Sequence, residues 1–347
     1  MAEFRGNLLL RSTRAGSEQK RGLMTRHICV LTPCFNEEEN VVELYDRIKK
    51  VFADLPGYTY DHLFIDNAST DGTVAKIREL SFADSRVKAI VNIRNFGHIR
   101  SPHHGLLSAN GDACIIMASD LQDTPELIPE FIRQWEGGYK IVVGVKERTE
   151  ESWAWKFIRG MYYNVLTAIS ETVQVEHFTG FGIYDKEVIE VVRRIDDPYP
   201  YFRGLISELG YPIATVPFHK PQRKRGFSKN NPYSLYDMAM LGLTSHSKVP
   251  LRLAAFAGFI LSGLTLLISM VFFVLKLIYW EKFTMGIAPL IIGLFFFSSV
   301  QLFFIGLVGE YIGSIYTQVR RRPLVIERER IGFAQSIGHE EAATLRK

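Results

Sequence analysis

Short apolar runs rich in β-branched residues alternate with amphipathic stretches through the first half of the chain, and polar loops join them. His27 to Leu31, His62 to Ile65, Val87 to Val91 and the run Ile115-Ile116-Met117-Ala118 read as buried strands. Helices are expected over Val41 to Leu55, from Val74 onward, from Gly97-His98 toward Asn110, and from near Pro125. Ile141 to Val145 reads as a further strand that runs into a basic loop, Lys146-Glu147-Arg148. Repeated strand–helix units predict a mostly parallel α/β sheet with its loops gathered on one edge.

The pattern changes after Pro250. Residues 253–280 carry only Lys276 as a charge, and residues 285–309 carry none. Each run exceeds the roughly 20 apolar residues that cross a bilayer as a helix, so two transmembrane helices are expected. Lys248 and Arg252 precede the first run and Arg320, Arg321 and Arg322 follow the second. That asymmetry places both termini, and the catalytic domain, on the cytoplasmic side of an inner membrane of bacterial type. Residues 233–247 mix Tyr, Leu and Met with few charges, which suits a helix lying in the membrane interface. The expected layout is therefore a disordered basic extension (1–26), a catalytic domain (27–230), an interfacial amphipathic helix (231–249), a two-helix transmembrane hairpin (250–313) and a cytoplasmic tail (314–347). Gly258, Gly263, Gly306, Gly309 and Gly313 would let the spans pack closely, and a homo-oligomer is expected.

Composition narrows the function. A net charge of +4 over 347 residues, with no interleaving of basic and aromatic positions, gives no footprint for nucleic acid. The 3 cysteines, Cys29, Cys34 and Cys114, have no metal-ligand spacing and fit a reducing compartment.

The chemistry concentrates where the fourth strand breaks, at Ser119-Asp120-Leu121-Gln122-Asp123-Thr124-Pro125-Glu126. Ligands of open α/β sheets lie beyond the carboxyl ends of the strands. A carboxylate there, with an amide oxygen two residues on, suits a hard divalent cation that shares its coordination with phosphates. The competing reading is that Asp120 and Asp123 only cap the following helix.

Four motifs in order decide between these. Pro33-x-x-Asn36-Glu37, Asp66-x-x-Ser69-x-Asp71-Gly72-Thr73, Arg94-Asn95-Phe96-Gly97 and Asp120-Leu121-Gln122-Asp123-x-Pro125-Glu126 resemble those of a family 2 glycosyltransferase. Gly309-Glu310-Tyr311-Ile312-Gly313 with Arg322-Pro323 resembles the tail of the membrane-bound polyisoprenyl-phosphate glycosyltransferases, of the GtrB and dolichyl-phosphate-sugar synthase type. The resemblance covers about residues 27–325. It implies a GT-A (Rossmann-like) nucleotide-sugar domain, followed by interfacial and transmembrane helices.

It also implies roles residue by residue. Pro33, Asn36 and Glu37 would border the nucleotide, Asp66 would hold base or ribose, and Asn95 and Gly97 would shape the donor floor. Ser119, Asp120, Gln122, Arg148 and Lys229 would complete the donor site, with Asp120 and Gln122 holding Mg²⁺ or Mn²⁺. Lys146, Lys156 and Arg159 would hold the acceptor phosphate, while Arg223 and Lys229 lie in a basic loop able to close on a diphosphate. The catalytic set is then Asp120, Lys146, Lys156 and Arg223. Phe178 to Asp185 resembles the segment below the sugar. Two departures stand out: Ala118 replaces the first carboxylate of the usual Asp-x-Asp-x-Gln, and Gly160 replaces a serine near the acceptor cation.

The acceptor follows from chemistry. A hydroxyl acceptor needs a base, often supplied by a Glu-Asp pair, and no Glu-Asp dipeptide occurs in the chain. A phosphate monoester has a second pKa near 6 and is already mostly dianionic at neutral pH. Polyprenyl phosphate meets that requirement and suits two membrane spans. The resemblance to the GtrB type implies UDP-glucose as the nucleotide sugar, with polyprenyl phosphate and membrane as the other expected partners; the alternatives are a mannose synthase using GDP-mannose and a non-enzymatic nucleotide-binding membrane protein. A processive polysaccharide synthase would carry Gln-x-x-Arg-Trp, which is absent.

Overall fold

The structure is a computed structural model that describes residues 25–146, 178–195, 197, 200–219, 249–279, 287–320 and 322–333. The catalytic part begins with β1 (Arg26–Cys34), α1 (Val41–Ala53), β2 (Tyr58–Asp66), α2 (Thr73–Ala83), β3 (Val87–Asn92), α3 (Gly97–Ser108) and β4 (Ala113–Ile116). A 3₁₀ turn at Pro125–Leu127 opens α4 (Ile128–Glu136), followed by β5 (Ile141–Lys146), β6 (Phe178–Asp185), α5 (Lys186–Arg194), α6 (Phe202–Glu208) and β7 (Ile213–Phe218). Two long helices, α7 (Val249–Ile278) and α8 (Ile287–Val319), precede a final strand, β8 (Glu327–Ile331).

Among the described residues eight strands form one sheet, in the order β7-β5-β6-β4-β1-β2-β3-β8. β4, β1, β2 and β3 are mutually parallel, β6 runs against both β4 and β5, β7 is parallel to β5, and β8 runs against β3. The fold is thus the mostly parallel α/β class expected from the strand–helix repeats. β1 shows why both faces must be covered: Ile28 and Val30 point into one core layer, Cys29 and Leu31 into the other. On the first face α1 contributes Leu44, Ile48 and Phe52, and α4 contributes Ile128, Phe131, Ile132 and Trp135. Spacings of i, i+4, i+8 on α1 and i, i+3, i+4, i+7 on α4 form a single apolar stripe on each helix. On the second face α3 approaches so closely that a Cβ on Gly105 would stand 2.7 Å from Leu31 Cδ1. Deleting a fully buried ring such as Phe131 to Ala would cost about 3–5 kcal/mol.

The consequence for function is positional. Cys34, Asp66, Asn92, Ile116 and Lys146 end parallel strands at one edge of the sheet, and the antiparallel strands β6 and β8 start there, at Phe178 and Glu327. The segments that leave β5 after Lys146 and β7 after Phe218 therefore depart from the same edge.

Helices α7 and α8 present most of their apolar side chains outward, among them Phe256, Phe259, Leu302, Phe303 and Ile315. Among the described residues, Gly293–Val319 is long and apolar enough to cross a membrane, and it is not buried in the protein. Neither helix boundary matches the apolar runs exactly, since α8 continues ten residues past Gly309 to Val319. The larger difference concerns the tail. The sequence places the catalytic domain in one continuous stretch, 27–230, yet the sheet takes its outer strand from Glu327–Ile331, beyond the apolar helices. Alternating Glu and Arg in Glu327-Arg328-Glu329-Arg330 hid this strand, because an edge strand buries little and needs no apolar run.

Candidate active site

Two loops at the functional edge are laced together before any ligand enters. Asn36 takes a left-handed conformation (φ 56°), which asparagine tolerates better than most residues. Its amide donates to Ser69 Oγ at 2.8 Å, and its Oδ1 accepts the Thr70 amide at 2.8 Å. The Glu37 amide donates to Thr73 Oγ1 at 2.8 Å, while its carboxylate accepts from Asn40 Nδ2 at 2.6 Å. Glu38 completes the lacing by accepting the Gly72 amide at 2.6 Å. Pro33 lies opposite Ile65, and Cys34 opposite Asp66, in the β1–β2 register.

Asp66 is fully buried at the end of β2. Its Oδ1 accepts the Ser69 amide at 3.0 Å, and its Oδ2 accepts the Ser69 hydroxyl and, at 3.8 Å, the Cys34 thiol. Burial pushes its carboxyl above the usual carboxylate range, against the Ser69 bonds and the positive charge of Arg328, which pull the other way. Here the residue shapes the loop.

The centre of the donor-side network is a residue the sequence reading passed over. Asn67 Nδ2 donates to Asn95 Oδ1 at 2.9 Å and to the Gly97 carbonyl at 3.1 Å. Its Oδ1 accepts the Phe96 amide at 2.8 Å and Asn92 Nδ2 at 3.3 Å. Asn95 Oδ1 in turn accepts the Gly97 amide at 2.8 Å, and Gly97 (φ 87°) makes the left-handed turn into α3. Two asparagines, one just after β2 and one closing β3, were the available signal: polar side chains at the ends of buried strands need partners.

The Ser119–Asp123 loop follows β4. Leu121 is left-handed (φ 59°) and buried, so the backbone reverses while its side chain anchors in the core. A branched residue held there costs about 1–2 kcal/mol, strain of the kind found at functional turns. Asp120 Oδ1 accepts the Gln122 amide at 3.2 Å, and Asp123 Oδ2 accepts the Ala118 amide at 2.9 Å. Neither the 3₁₀ turn nor α4 has a side-chain hydrogen bond at its N-cap. Those N-caps are Thr124 and Leu127, and the bonds from Ala118 and Gln122 tie the two carboxylates into their own loop. Ser119 and Asp120 are both largely buried. Asp120 and Gln122 supply hard oxygen donors and a single negative charge at this turn, which fits a divalent cation completed by oxygens of a bound diphosphate. Among the described residues, no three His, Cys, Asp or Glu side chains cluster as a metal cage.

Lys146 closes β5 half-buried at the same edge. Arg148, Lys156, Arg159, Arg223 and Lys229 lie outside the described residues, as do the first 24 residues and all of the expected interfacial helix 231–249 except Val249, which opens α7. The structure thus gathers Pro33, Asn36, Glu37, Asp66, Asn95, Gly97, Ser119, Asp120, Gln122 and Lys146 along one edge.

The sheet and its edge loops are those of an open α/β fold with its polar residues gathered at the carboxyl ends of the strands, and the glycosyl transferase family 2 model matches residues 29–193. The chain belongs to that family and is a glycosyltransferase. It is 34% identical over 314 residues to an uncharacterized glycosyltransferase, YkcC, of Bacillus subtilis, covering 89% of this chain and 96% of the relative. It is 32% identical over 305 residues to the uncharacterized glycosyltransferase sll0501 of Synechocystis (87% and 95% covered). It is also 30% identical over 300 residues to a prophage-derived bactoprenol glucosyl transferase of Shigella flexneri (86% and 96% covered).

Proposed function

We propose that this protein transfers glucose from UDP-glucose to the phosphate of a polyprenyl phosphate such as undecaprenyl phosphate, with inversion, at the cytoplasmic face of a membrane. The observation that carries this reading is the meeting, at one sheet edge, of the three laced donor loops with the Asp120 turn and Lys146, in a chain that also bears long apolar helices. The near-full-length likeness to a bactoprenol glucosyl transferase supports the choice of glucose and of the lipid acceptor.

In this reading Asp120 and Gln122 hold Mg²⁺ or Mn²⁺, which when bound offsets negative charge on the departing nucleoside diphosphate. The acceptor phosphate arrives ionised and attacks the sugar C1 directly, so no side chain has to remove a proton. In-line attack inverts the anomeric centre. Lys146, with Lys156 and Arg159, orients the acceptor phosphate, while Arg223 and Lys229 close over the diphosphate. Arg148, in the same basic stretch of the sequence as Lys146, belongs to the donor-binding set. Both α7 and α8 cross the bilayer as a hairpin, and copies of the chain associate through their glycine-containing spans.

The test is a panel of nucleotide sugars offered to the purified full chain with undecaprenyl phosphate and Mg²⁺ or Mn²⁺, read by product mass. A hexose-bearing polyprenyl phosphate formed from UDP-glucose is the expected product. Absence of lipid product with every donor would refute the assignment.

A further inference from the structure

The strand that follows the membrane helix ends up inside the nucleotide half of the site. β8 runs against β3, so its first residues lie at the functional edge, and Asp66, Val91 and Glu329 stand in one row across β2, β3 and β8. The register then slips: Val91 pairs with Glu329 but Asn92 pairs with Glu327, which leaves Arg328 as the extra residue of a β-bulge. Bulges re-aim side chains, and this one is functional in its effect. Without it Glu327 and Glu329 would share a face. With it, Glu327 meets His104 on α3 at 2.7 Å, while Glu329 meets Arg78 on α2 at 2.8 Å. The strand thereby grips both helical layers. It also grips the donor loop, because the Ile93 amide, just ahead of Arg94-Asn95-Phe96-Gly97, donates to the Ile326 carbonyl at 2.9 Å.

Arg328, carried on the bulge, leaves 47% of its side chain exposed, and its guanidinium touches Glu329 Oε1 at 3.2 Å. Its charge reaches the end of β2, where it offsets part of the upward push of burial on the Asp66 carboxyl. Position along the edge decides what this cation faces. The Asp120 turn follows β4, and β8 lies four strands away in the order β4-β1-β2-β3-β8. At about 4.8 Å per strand the separation is roughly 19 Å, too far for one group to touch both. The laced loops after β1, β2 and β3 lie between the two, so a donor with its diphosphate at Asp120 and its nucleoside in those loops points toward the side that β8 borders.

We propose that Arg328 is a nucleoside-side contact of the donor, delivered to the site by the bulged strand that follows the membrane helix. Its guanidinium donates to an acceptor oxygen of the base or ribose, and it makes no contact with the diphosphate. This rests on the nucleotide-sugar reading above and deepens it, because it names a binding residue from a segment outside the family-matched region.

The test uses the full chain in detergent with Mg²⁺, and compares wild type with Arg328→Ala and Arg328→Lys. The probes are UDP, UMP and inorganic pyrophosphate, and the thermal midpoint is followed in parallel. Arg328→Ala is expected to weaken UDP and UMP by a similar factor, about tenfold, as loss of a charged hydrogen bond does. Pyrophosphate binding and the thermal midpoint should stay at wild-type values, and Arg328→Lys should recover part of the loss. Equal UDP affinity in wild type and Arg328→Ala would overturn the proposal while leaving the transferase reading intact. A loss of pyrophosphate affinity in the same proportion would overturn it too, because the contact would then be to phosphate. If wild type binds no UDP, the nucleotide-sugar reading itself fails and this contact falls with it.

Discussion

The side-chain amide of Asn67 bridges Asn95 Oδ1 and the Gly97 carbonyl, at 2.9 and 3.1 Å, and so ties the loop after β2 to the loop after β3. Replacing Asn67 by Ala removes both donors and also orphans the Phe96 amide, which now donates to Asn67 Oδ1 at 2.8 Å. Losing bonds of this kind costs about 1–3 kcal/mol each where a group is left unpaired. Asn67→Ala should therefore raise the donor KM about tenfold or more and lower the thermal midpoint, with kcat least affected. An unchanged donor KM would show that this network only supports the fold.

Asp66 yields a prediction with two readouts. Its folded pKa is raised, so the folded chain takes up a proton more readily than the unfolded one, and holding the carboxyl ionised at neutral pH costs stability. That cost fades as pH falls through the raised pKa. Asp66→Asn removes the buried charge, so its thermal midpoint at pH 7 should equal or exceed that of wild type. The Ser69–Asn36 lacing that the carboxylate organises should loosen, and donor KM should rise several-fold. A lower midpoint with normal KM would make Asp66 a purely structural residue.

For Asp120 the substitution of choice is Asn, because its amide oxygen can still accept the Gln122 amide that Asp120 Oδ1 now accepts at 3.2 Å. The loop should hold its shape while the Asp120 charge is gone and that of Asp123 remains. Transfer is expected to drop by about 10²-fold or more, with the thermal midpoint within a few degrees of wild type. Near-normal turnover would remove Asp120 from the metal site.

The parallel sheet was legible because strands covered on both faces must be nearly continuous in Ile, Val and Leu, as in β1 and β4. The donor loops were legible because their Asn, Asp and Gly residues make particular turns. Asn67 and Asn92 escaped notice because nothing in a single sequence says which strand-end asparagine will meet which. β8 escaped for a different reason: its pairing with β3 joins residues more than 230 positions apart, across two apolar helices, and Glu327 to Arg330 look like any charged tail. Periodicity reports burial, and an edge strand held by an ion pair to Arg78 and a hydrogen bond to His104 has little of it.

Acid sensitivity should trace in part to His62. The ring is buried, its Nε2 lies 2.9 Å from Thr32 Oγ1, and burial pushes its pKa down to about 3. Unfolded, the ring titrates near its usual value of about 6.5. Stability linked to this group is therefore full above pH 6.5 and declines as pH falls toward about 3, by an amount on the order of a few kcal/mol. His62→Gln keeps a polar partner for Thr32 and removes the titration. Its thermal midpoint should fall less steeply than wild type between pH 6.5 and the acid limit, and parallel curves would exclude His62 as a source of the acid loss.

The central claim is that the acceptor supplies its own nucleophile. The direct measurement gives the full chain UDP-glucose and Mg²⁺ with either undecaprenyl phosphate or undecaprenol at saturating concentration, and follows glucosylated lipid by mass across pH 5–8. The account predicts product from the phosphate alone, with the acidic limb of the rate following phosphate ionisation near pH 6. Undecaprenol glucosylated at a comparable rate, or an acid limb set by a protein carboxylate whose loss is rescued by added small-molecule base, would contradict it.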